Sequence, residues 1–274
     1  MDRYLESNRK LWDEWTKIHV ESDFYDVERF KAGLREGRHR LRDFELAEIG
    51  DVDGLEILHL QCHFGIDSLS FAQLGARVTG VDFSPAAIEA ARQLSGEVGL
   101  EARFVCSDVY DLAQNLDGAF DLVYTSRGVL GWLPDIRSWA EVVANFVKPG
   151  GRFYLNEIHP IAQVWDEDSP ERFIPRFGYW SGDVISIPTQ GSYADPTADI
   201  EASHEHGWNH SLGEVVTALV DAGLRIGSLH EYPWLEWPFP GLVEDERGRF
   251  VLPESFEGSL PFMFSLLATK PVST

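Results

Sequence analysis

Cysteine is scarce in this sequence, and long apolar runs are absent. The 274 residues contain two cysteines, Cys62 and Cys106, and their spacing does not match that of a structural zinc site. If Cys62 follows the first strand of a parallel sheet and Cys106 ends the third, about 10 Å separates them, which is too far for a disulfide. No run of about 18 apolar residues occurs, so the sequence predicts no transmembrane helix.

Basic residues are few relative to acidic ones. Lysine and arginine together number 23 against 45 aspartates and glutamates, which gives a formal net charge of -22. Such a surface repels phosphate polymers and anionic membranes, so we expect neither nucleic acid nor a membrane as partner. Residues 1–10 are charged and lack the apolar core of a secretory signal. The sequence therefore predicts a cytoplasmic protein.

The most informative segment is residues 55–82, LEILHLQCHFGIDSLSFAQLGARVTGVD. Its pattern predicts a buried strand, a tight turn, an amphipathic helix that stops at Gly75, and a second buried strand that ends at Asp82. In such a unit the turn and the end of the second strand share one edge of the sheet, where α/β proteins bind nucleotide-like ligands. Because a carboxylate there can accept from both ribose hydroxyls, the segment predicts a cofactor that contains adenosine.

Strands and helices continue to alternate after this segment. Helices are predicted over 84–98 and 135–146, and strands over 101–106, 120–124 and 152–158. This alternation indicates an α/β fold with a doubly wound, Rossmann-like and mostly parallel sheet.

The alternation breaks over residues 159–210, which are rich in proline, glycine and aromatics. We interpret this stretch as a substrate-side insertion after the fifth strand, with a short hairpin near 182–188. Regular order resumes at Ser211, which with Glu214 forms a capping box at the start of a helix.

Two strands complete a sheet of seven. The sixth is predicted over 224–230, and the seventh over 258–270 is expected to pair antiparallel at the sheet edge. Residues 51–274 are thus interpreted as one domain that carries the insertion.

Residues 1–50 are predicted to be mostly helical, with Trp12, Trp15 and His19 on one face of the first helix. Because this segment precedes the first strand, it can fold over the carboxyl edge of the sheet as a lid. The alternative is a helix that only covers a sheet face.

Six segments of the sequence follow one another in a characteristic order: ILHLQCHFG, VTGVDFSPAAIEAAR, FVCSDVYDL, FDLVYTSRGVLGWLPD, KPGGRFYLNE and SLGEVVTALVDAGLRIGSLHE. This order resembles that of the class I methyltransferases that use S-adenosylmethionine, over residues 51–158 and 211–270. The resemblance implies S-adenosylmethionine as cofactor and S-adenosylhomocysteine as its product.

The resemblance also implies a role for residues at the carboxyl edge. Asp82 would hold the ribose hydroxyls, and Phe83 would lie against the adenine. Ser107 and Asp108 follow the third strand. The Asp108 carboxylate would accept a hydrogen bond from the adenine amino group, and the Val109 N–H would lie beside the adenine ring.

The remaining implied contacts are with the methionine part of the cofactor. The turn over 61–65, with Gln61, Cys62, His63 and Gly65, would wrap this part and direct backbone N–H groups at its carboxylate. Ser126 and Arg127 would border the sulfonium. From the aromatic N-terminal segment, Tyr25 is expected to reach the cofactor.

The turn departs from the family pattern, which carries an acid followed by glycines at alternate positions. Here these positions read His59, Gln61, His63 and Gly65, so only the last glycine remains. We expect Gln61 and His63 to adopt unusual φ values. Either the cofactor lies in a different position, or these two side chains bind its carboxylate, and we favour the second.

Other functions fit the sequence less well. A nicotinamide-dependent oxidoreductase would need glycines at positions 61, 63 and 66, and none is present. A protein that binds the cofactor without catalysis is a further alternative, which the altered turn supports. His204, His206 and His210 lack a strong ligand spacing, so we interpret them as a solvated loop and predict no metal.

The predicted activity is methylation of oxygen or nitrogen on a small-molecule metabolite. A hydroxyl or protonated amine would need a base, for which His159, after the fifth strand, and His63, in the turn, are the candidates. The alternative for each is a hydrogen-bonded structural histidine.

Overall fold

The computed structural model describes residues 3–165, 174–256 and 259–272. Its helices are α1 (Arg3–Glu21), α2 (Val27–Arg35), α3 (Asp43–Ile49), α4 (Ile66–Gln73), α5 (Pro85–Val98), α6 (Leu112–Asn115), α7 (Ile136–Phe146) and α8 (Leu212–Asp221). Its strands are β1 (Glu56–Leu60), β2 (Arg77–Asp82), β3 (Ala102–Cys106), β4 (Phe120–Ser126), β5 (Val147–Ile158), β6 (Ile185–Pro188), β7 (His204–Gly207), β8 (Arg225–Tyr232), β9 (Trp234–Leu235), β10 (Val243–Glu244), β11 (Phe250–Val251) and β12 (Met263–Thr269).

The main sheet has seven strands in the order β3-β2-β1-β4-β5-β12-β8. Strands β1 to β5 pair in parallel, and β12 runs antiparallel to both of its neighbours. The predicted seven-stranded, mostly parallel, Rossmann-like sheet is therefore confirmed.

The expected place of the last strand at the sheet edge is wrong. β12 lies between β5 and β8, and β8 forms the edge. The reason is burial, because Met263 and Phe264, which point to opposite faces of β12, are both fully buried, whereas every residue of β8 is partly or fully exposed. A strand that is apolar on both faces is more stable inside a sheet than at its edge.

Both faces of the sheet are covered by helices, as a doubly wound fold requires. One face packs against α7 and α8 around the fully buried Trp139 and Phe153. On the opposite face, Phe71 of α4 packs against Tyr124 of β4, whose ring is stacked with that of Tyr154 of β5. No helix in the described ranges is both long and apolar enough to cross a membrane.

Local capping signals determine where helices α5 and α8 begin. Ser84 accepts a hydrogen bond from the Ala87 amide at 3.1 Å at the start of α5. Ser211 and Glu214 form the predicted capping box at the start of α8. These contacts satisfy amide groups that have no partner within the helix.

The hairpin predicted near 182–188 is wrong in its connection. The strand β6 exists, but its antiparallel partner is β7, which contains His204 and His206. His204 and His206 thus lie on a strand rather than in a solvated loop, whereas His210 follows the strand and is buried. Among the described residues, no group of three or more histidine, cysteine or acidic side chains could hold a metal ion.

Helix α1 packs against α5 and β7. Asp13 of α1 accepts hydrogen bonds from the Ser84 hydroxyl at 2.6 Å and the Ala86 amide at 3.2 Å. α1 therefore lies beside the start of α5, next to the carboxyl end of β2. Its function as a lid, and the division of the chain at residue 50, stay predictions.

Candidate cofactor site

The turn between β1 and α4 is left-handed at three residues. Gln61 and His63 have φ values of 51° and 52°, and Gly65 has 83°. The expectation of unusual φ values is thus confirmed. A Cβ atom on Gly65 would lie 2.8 Å from the ring of Phe104, so this position requires glycine. For a non-glycine residue the left-handed conformation costs about 1 kcal/mol, and such strain is concentrated at functional sites.

Asp82 ends β2 directly beside this turn. Its two carboxylate oxygens accept hydrogen bonds from the amides of His63 at 2.8 Å and Ser84 at 2.9 Å. Burial raises the pKa of Asp82 to about 6, although both amides act in the opposite direction. A carboxylate has about four acceptor positions, so two remain for ribose hydroxyls. The following residue, Phe83, is half-buried.

The end of β3 lies next to Asp82. The Ser107 amide donates to the Asp82 carbonyl at 2.9 Å, and the Ser107 hydroxyl donates to the Asp108 carbonyl at 2.8 Å. One carboxylate oxygen of Asp108 accepts from the Tyr110 amide at 3.1 Å, and burial raises the pKa of Asp108. With Val109 buried, these groups form one wall beside Asp82.

His59 stands at the position where the family carries an acid. Its Nδ1 lies 2.9 Å from the Ser68 hydroxyl and its Nε2 lies 3.2 Å from the Ser126 hydroxyl. Burial, assisted by the positive charge of Arg127, lowers the pKa of His59 to about 3. The imidazole is therefore neutral at pH 7 and cannot supply the negative charge that the usual acid provides.

Arg127, just past β4, is surrounded by carboxylates. Its guanidinium lies 2.6 Å from Glu45, 3.0 Å from Glu236 and 3.5 Å from Asp67. Burial alone would lower the pKa of Arg127, but these acids raise it well above its usual value. Glu45 is fully buried and also accepts from the Tyr124 hydroxyl at 2.9 Å. Arg127 thus links α3, α4 and the loop after β9 at this edge.

Gln61 carries two unsatisfied polar atoms. Within the described part of the chain, neither the oxygen nor the nitrogen of its side-chain amide has a hydrogen-bond partner, although both are buried. Buried polar atoms are rarely left unpaired in proteins, so this position fits a polar ligand. The neighbouring Cys62 is a free, buried thiol whose pKa is raised by burial.

Aromatic side chains from α1, the loop after α1, the turn and the insertion contact one another beside the turn. The Nε2 of His63 lies 3.3 Å from the Nδ1 of His19, and the Tyr25 and Tyr193 hydroxyls lie 2.5 Å apart. The ring centroids of Trp12 and His63 are 5.2 Å apart. The ring centroids of the two predicted residues Tyr25 and His63 are 5.5 Å apart, so they are neighbours.

His159 follows β5 and has different partners. Its Nδ1 accepts from the Ile161 amide at 3.1 Å, and its Nε2 lies 3.0 Å from a carboxylate oxygen of Glu231. Burial lowers the pKa of His159, although Glu231 acts in the opposite direction. A function as base stays a prediction for this residue.

Glu157 fixes the loop after β4. Its buried carboxylate accepts from the amides of Gly128 at 2.5 Å, Val129 at 2.8 Å and Leu130 at 2.9 Å. Burial raises the pKa of Glu157, although these amides lower it. No local sequence signal distinguishes Glu157, Glu45, His19 and Tyr193 from other polar residues, because only contacts with distant segments bring them to this edge of the sheet.

Comparisons with known proteins give a consistent classification. The family model described as a methyltransferase domain matches residues 57–151. Ubiquinone biosynthesis O-methyltransferase from Cronobacter sakazakii is 33% identical over 150 residues, which are 53% of this chain and 60% of that protein. The protein of the same name from Proteus mirabilis is 30% identical over 166 residues, or 56% of this chain and 67% of that protein. The match to the Cronobacter protein therefore spans less than two thirds of its length.

A solved S-adenosylmethionine-dependent methyltransferase from Methanosarcina mazei has the same fold. Its TM-score is 0.56 at 20% identity, and the alignment covers 85% of this chain and 99% of that chain. This chain belongs to the class I methyltransferases, whose methyl donor is S-adenosylmethionine. The unpaired amide of Gln61 and the free acceptor positions of Asp82 fit this polar cofactor.

Proposed function

We propose that this protein is a methyltransferase that transfers the methyl group of S-adenosylmethionine to oxygen or nitrogen of a small-molecule metabolite. The observation that carries the proposal is the position of Asp82 at the end of β2, beside a left-handed turn with an unpaired buried amide. The names of the two bacterial O-methyltransferases support a small-molecule acceptor and favour oxygen as the methylated atom.

Residues of three strand ends would hold the cofactor. Asp82 would accept from the ribose hydroxyls, Asp108 and the Val109 amide would bind the adenine edge, and Phe83 would pack on its face. Gln61 would bind the amino-acid end. When bound, S-adenosylmethionine supplies an activated methyl group, so the protein has mainly to orient the acceptor and exclude water.

A base is needed when the acceptor carries a proton that must leave. His63 and His159 are the candidates, and burial lowers the pKa of both, which keeps their imidazoles neutral at pH 7. A neutral imidazole can accept a proton from the acceptor. His63 is the better candidate, because the Nδ1 of His159 already accepts from the Ile161 amide and its Nε2 faces the Glu231 carboxylate.

The N-terminal segment and the insertion are proposed to cover the site together. The side chain of Asn8 forms hydrogen bonds of 2.7 and 3.0 Å with the backbone of His206. The indole N–H of Trp15 donates to the Gly191 carbonyl at 2.8 Å. Closure of this kind excludes water from the reaction.

Small metabolites are the proposed partners because of charge. The net charge of -22 is unfavourable for binding to nucleic acid or to anionic membranes. A cytoplasmic location, where such metabolites and the cofactor are available, is proposed with it.

Calorimetry tests the cofactor assignment. We expect S-adenosylhomocysteine to bind and NAD to give no heat. Asp82→Ala should weaken binding about tenfold or more, since two hydrogen bonds to a carboxylate are lost. The exposed Asp117→Ala serves as the matched control. An absence of heat with both S-adenosylmethionine and S-adenosylhomocysteine would contradict the proposal.

Transfer of a radioactive methyl group to a panel of phenols and amines tests the activity. Formation of S-adenosylhomocysteine together with a labelled product would support catalysis. Tight cofactor binding without transfer to any member of the panel or to a metabolite extract would favour a protein that binds the cofactor without catalysis.

A further inference from the structure

A fully buried histidine of α1 contacts the turn between β1 and α4. His19 is 0% exposed, and its Nδ1 lies 3.3 Å from the Nε2 of His63. The Tyr193 hydroxyl, from the insertion, lies 3.5 Å from the same Nδ1. Three segments that are far apart in sequence thus meet at one imidazole.

The protonation state of His19 follows from its surroundings. Burial lowers the pKa of His19 to about 3, and burial together with His19 lowers that of His63 well below its usual value, so both rings are neutral at pH 7. A neutral imidazole carries its hydrogen on one nitrogen. We assign the hydrogen of His19 to Nε2, since its Nδ1 can then accept from both the His63 imidazole and the Tyr193 hydroxyl.

The Nε2 of His19 is then a buried donor without an acceptor. No described residue forms a hydrogen bond with it. The amide of Gln61, two residues from His63, is unpaired in the same way. An unpaired buried donor costs about 1–3 kcal/mol, so the Nε2–H of His19 and the amide N–H of Gln61 indicate a ligand that accepts hydrogen bonds.

The ligand group that fits is an anion. α4 starts directly after this turn, and the start of a helix carries a partial positive charge that favours anions. S-adenosylmethionine has one anionic group, the carboxylate of its amino-acid end.

We propose that the His19 imidazole N–H, supported by His63, binds the cofactor carboxylate, and that this contact holds α1 in its closed position. The proposal rests on the proposed function, because it assigns part of the same cofactor site. It adds a side-chain donor from α1 to the backbone N–H groups of the turn. The lid would then close on cofactors with an intact amino-acid end and not on truncated ones.

Ligand truncation in the wild-type protein gives the first test. S-adenosylhomocysteine is compared with its decarboxylated form and with 5′-methylthioadenosine, which lacks the whole amino-acid end. We expect hydrogen exchange in α1 to slow with S-adenosylhomocysteine and to stay unchanged with the other two. Equal slowing of exchange by all three ligands would overturn the proposal.

Substitution of His19 gives the second test, read by calorimetry. His19→Phe, which retains a ring but no donor, should weaken S-adenosylhomocysteine about tenfold and change the affinity for 5′-methylthioadenosine less than about twofold. His19→Gln, which retains an N–H donor, should restore part of the difference. Thr16→Val, also buried in α1, is the matched control.

The outcomes separate the two proposals. If S-adenosylhomocysteine binds and His19→Phe weakens both ligands equally, or neither, the inference fails while the proposed function stands. If no adenosyl ligand binds the wild-type protein, the proposed function itself fails.

Discussion

The carboxylate of Asp82 accepts a hydrogen bond from the backbone amide of His63 over 2.8 Å. This contact joins the end of β2 to the turn between β1 and α4. In this turn His63, a non-glycine residue, adopts the left-handed conformation. The acid proposed to hold the ribose therefore also fixes the turn proposed to hold the amino-acid end. Binding of both parts of the cofactor would then depend on one buried carboxylate.

Cofactor affinity should depend on pH through Asp82. Burial raises the pKa of Asp82 to about 6, so the carboxylate is ionised above this pH and protonated below it. Protonation removes an acceptor and places a hydrogen against the amide donors. We expect calorimetry with S-adenosylhomocysteine to show affinity that is nearly constant well above the pKa of Asp82 and falls as the pH decreases through about 6.

Asp82→Asn is the control for this pH dependence. The variant should bind weakly and show no fall near that pH. Circular dichroism at each pH verifies that the protein remains folded. An undiminished wild-type affinity well below the pKa of Asp82 would contradict the prediction.

Glycine at positions 61 and 63 should separate stability from binding. Gln61→Gly and His63→Gly relieve the left-handed strain, whereas Gln61→Ala and His63→Ala remove the same side chains and retain it. In denaturant unfolding, each glycine variant should exceed its alanine counterpart by about 1 kcal/mol in free energy of unfolding. For Gln61, both variants should weaken S-adenosylhomocysteine by a similar factor. Equal stability of the glycine and alanine variants would show that the turn stores no strain.

Glu157→Gln should destabilise the loop after β4. The buried carboxylate accepts three amide hydrogen bonds from residues 128–130, and an amide group would direct its NH2 at some of these donors. We expect a loss of about 2 kcal/mol or more in the free energy of unfolding, measured with urea. The exposed Glu141→Gln, on α7, provides the comparison and should change stability little. A Glu157→Gln variant as stable as this control would show that the Glu157 carboxylate does not stabilise this loop.

Trp15→Phe should loosen the contact between α1 and the insertion. The substitution retains an aromatic ring but removes the hydrogen bond to the Gly191 carbonyl, at a cost of about 1–3 kcal/mol. We expect faster hydrogen exchange and faster limited proteolysis in α1. Lys17→Ala, an exposed change on the same helix, should leave both rates unaltered. Unchanged rates of hydrogen exchange and proteolysis in α1 of Trp15→Phe would show that this hydrogen bond does not hold α1 to the insertion.

Signals that lie within a few residues of one another could be predicted from the sequence. Ser84 with Pro85, and Ser211 with Glu214, specify helix starts because a side chain caps amides in its own first turn. The apolar run before Asp82 identified β2 and placed this acid at the ligand edge. Gln61 and His63 stood out because the family has glycine at their positions, and both adopt positive φ.

Contacts between distant segments could not be predicted in this way. Glu45 and Arg127 are 82 residues apart and form one ion pair. His19 and His63 come from a helix and a turn that no local pattern connects. β12 was expected at the edge because its own sequence does not specify how many neighbours it has.

The sequence alone determined the order of elements, the kind of sheet and the acid at the end of β2, since periodicity and capping act within a few residues of the chain. Only the tertiary structure decided that β12 lies inside the sheet, that Arg127 is held by three acids, and that His19 faces the turn. These arrangements depend on which distant surfaces bury each other's apolar area and satisfy each other's polar atoms, and that free energy belongs to the packed molecule rather than to any one segment.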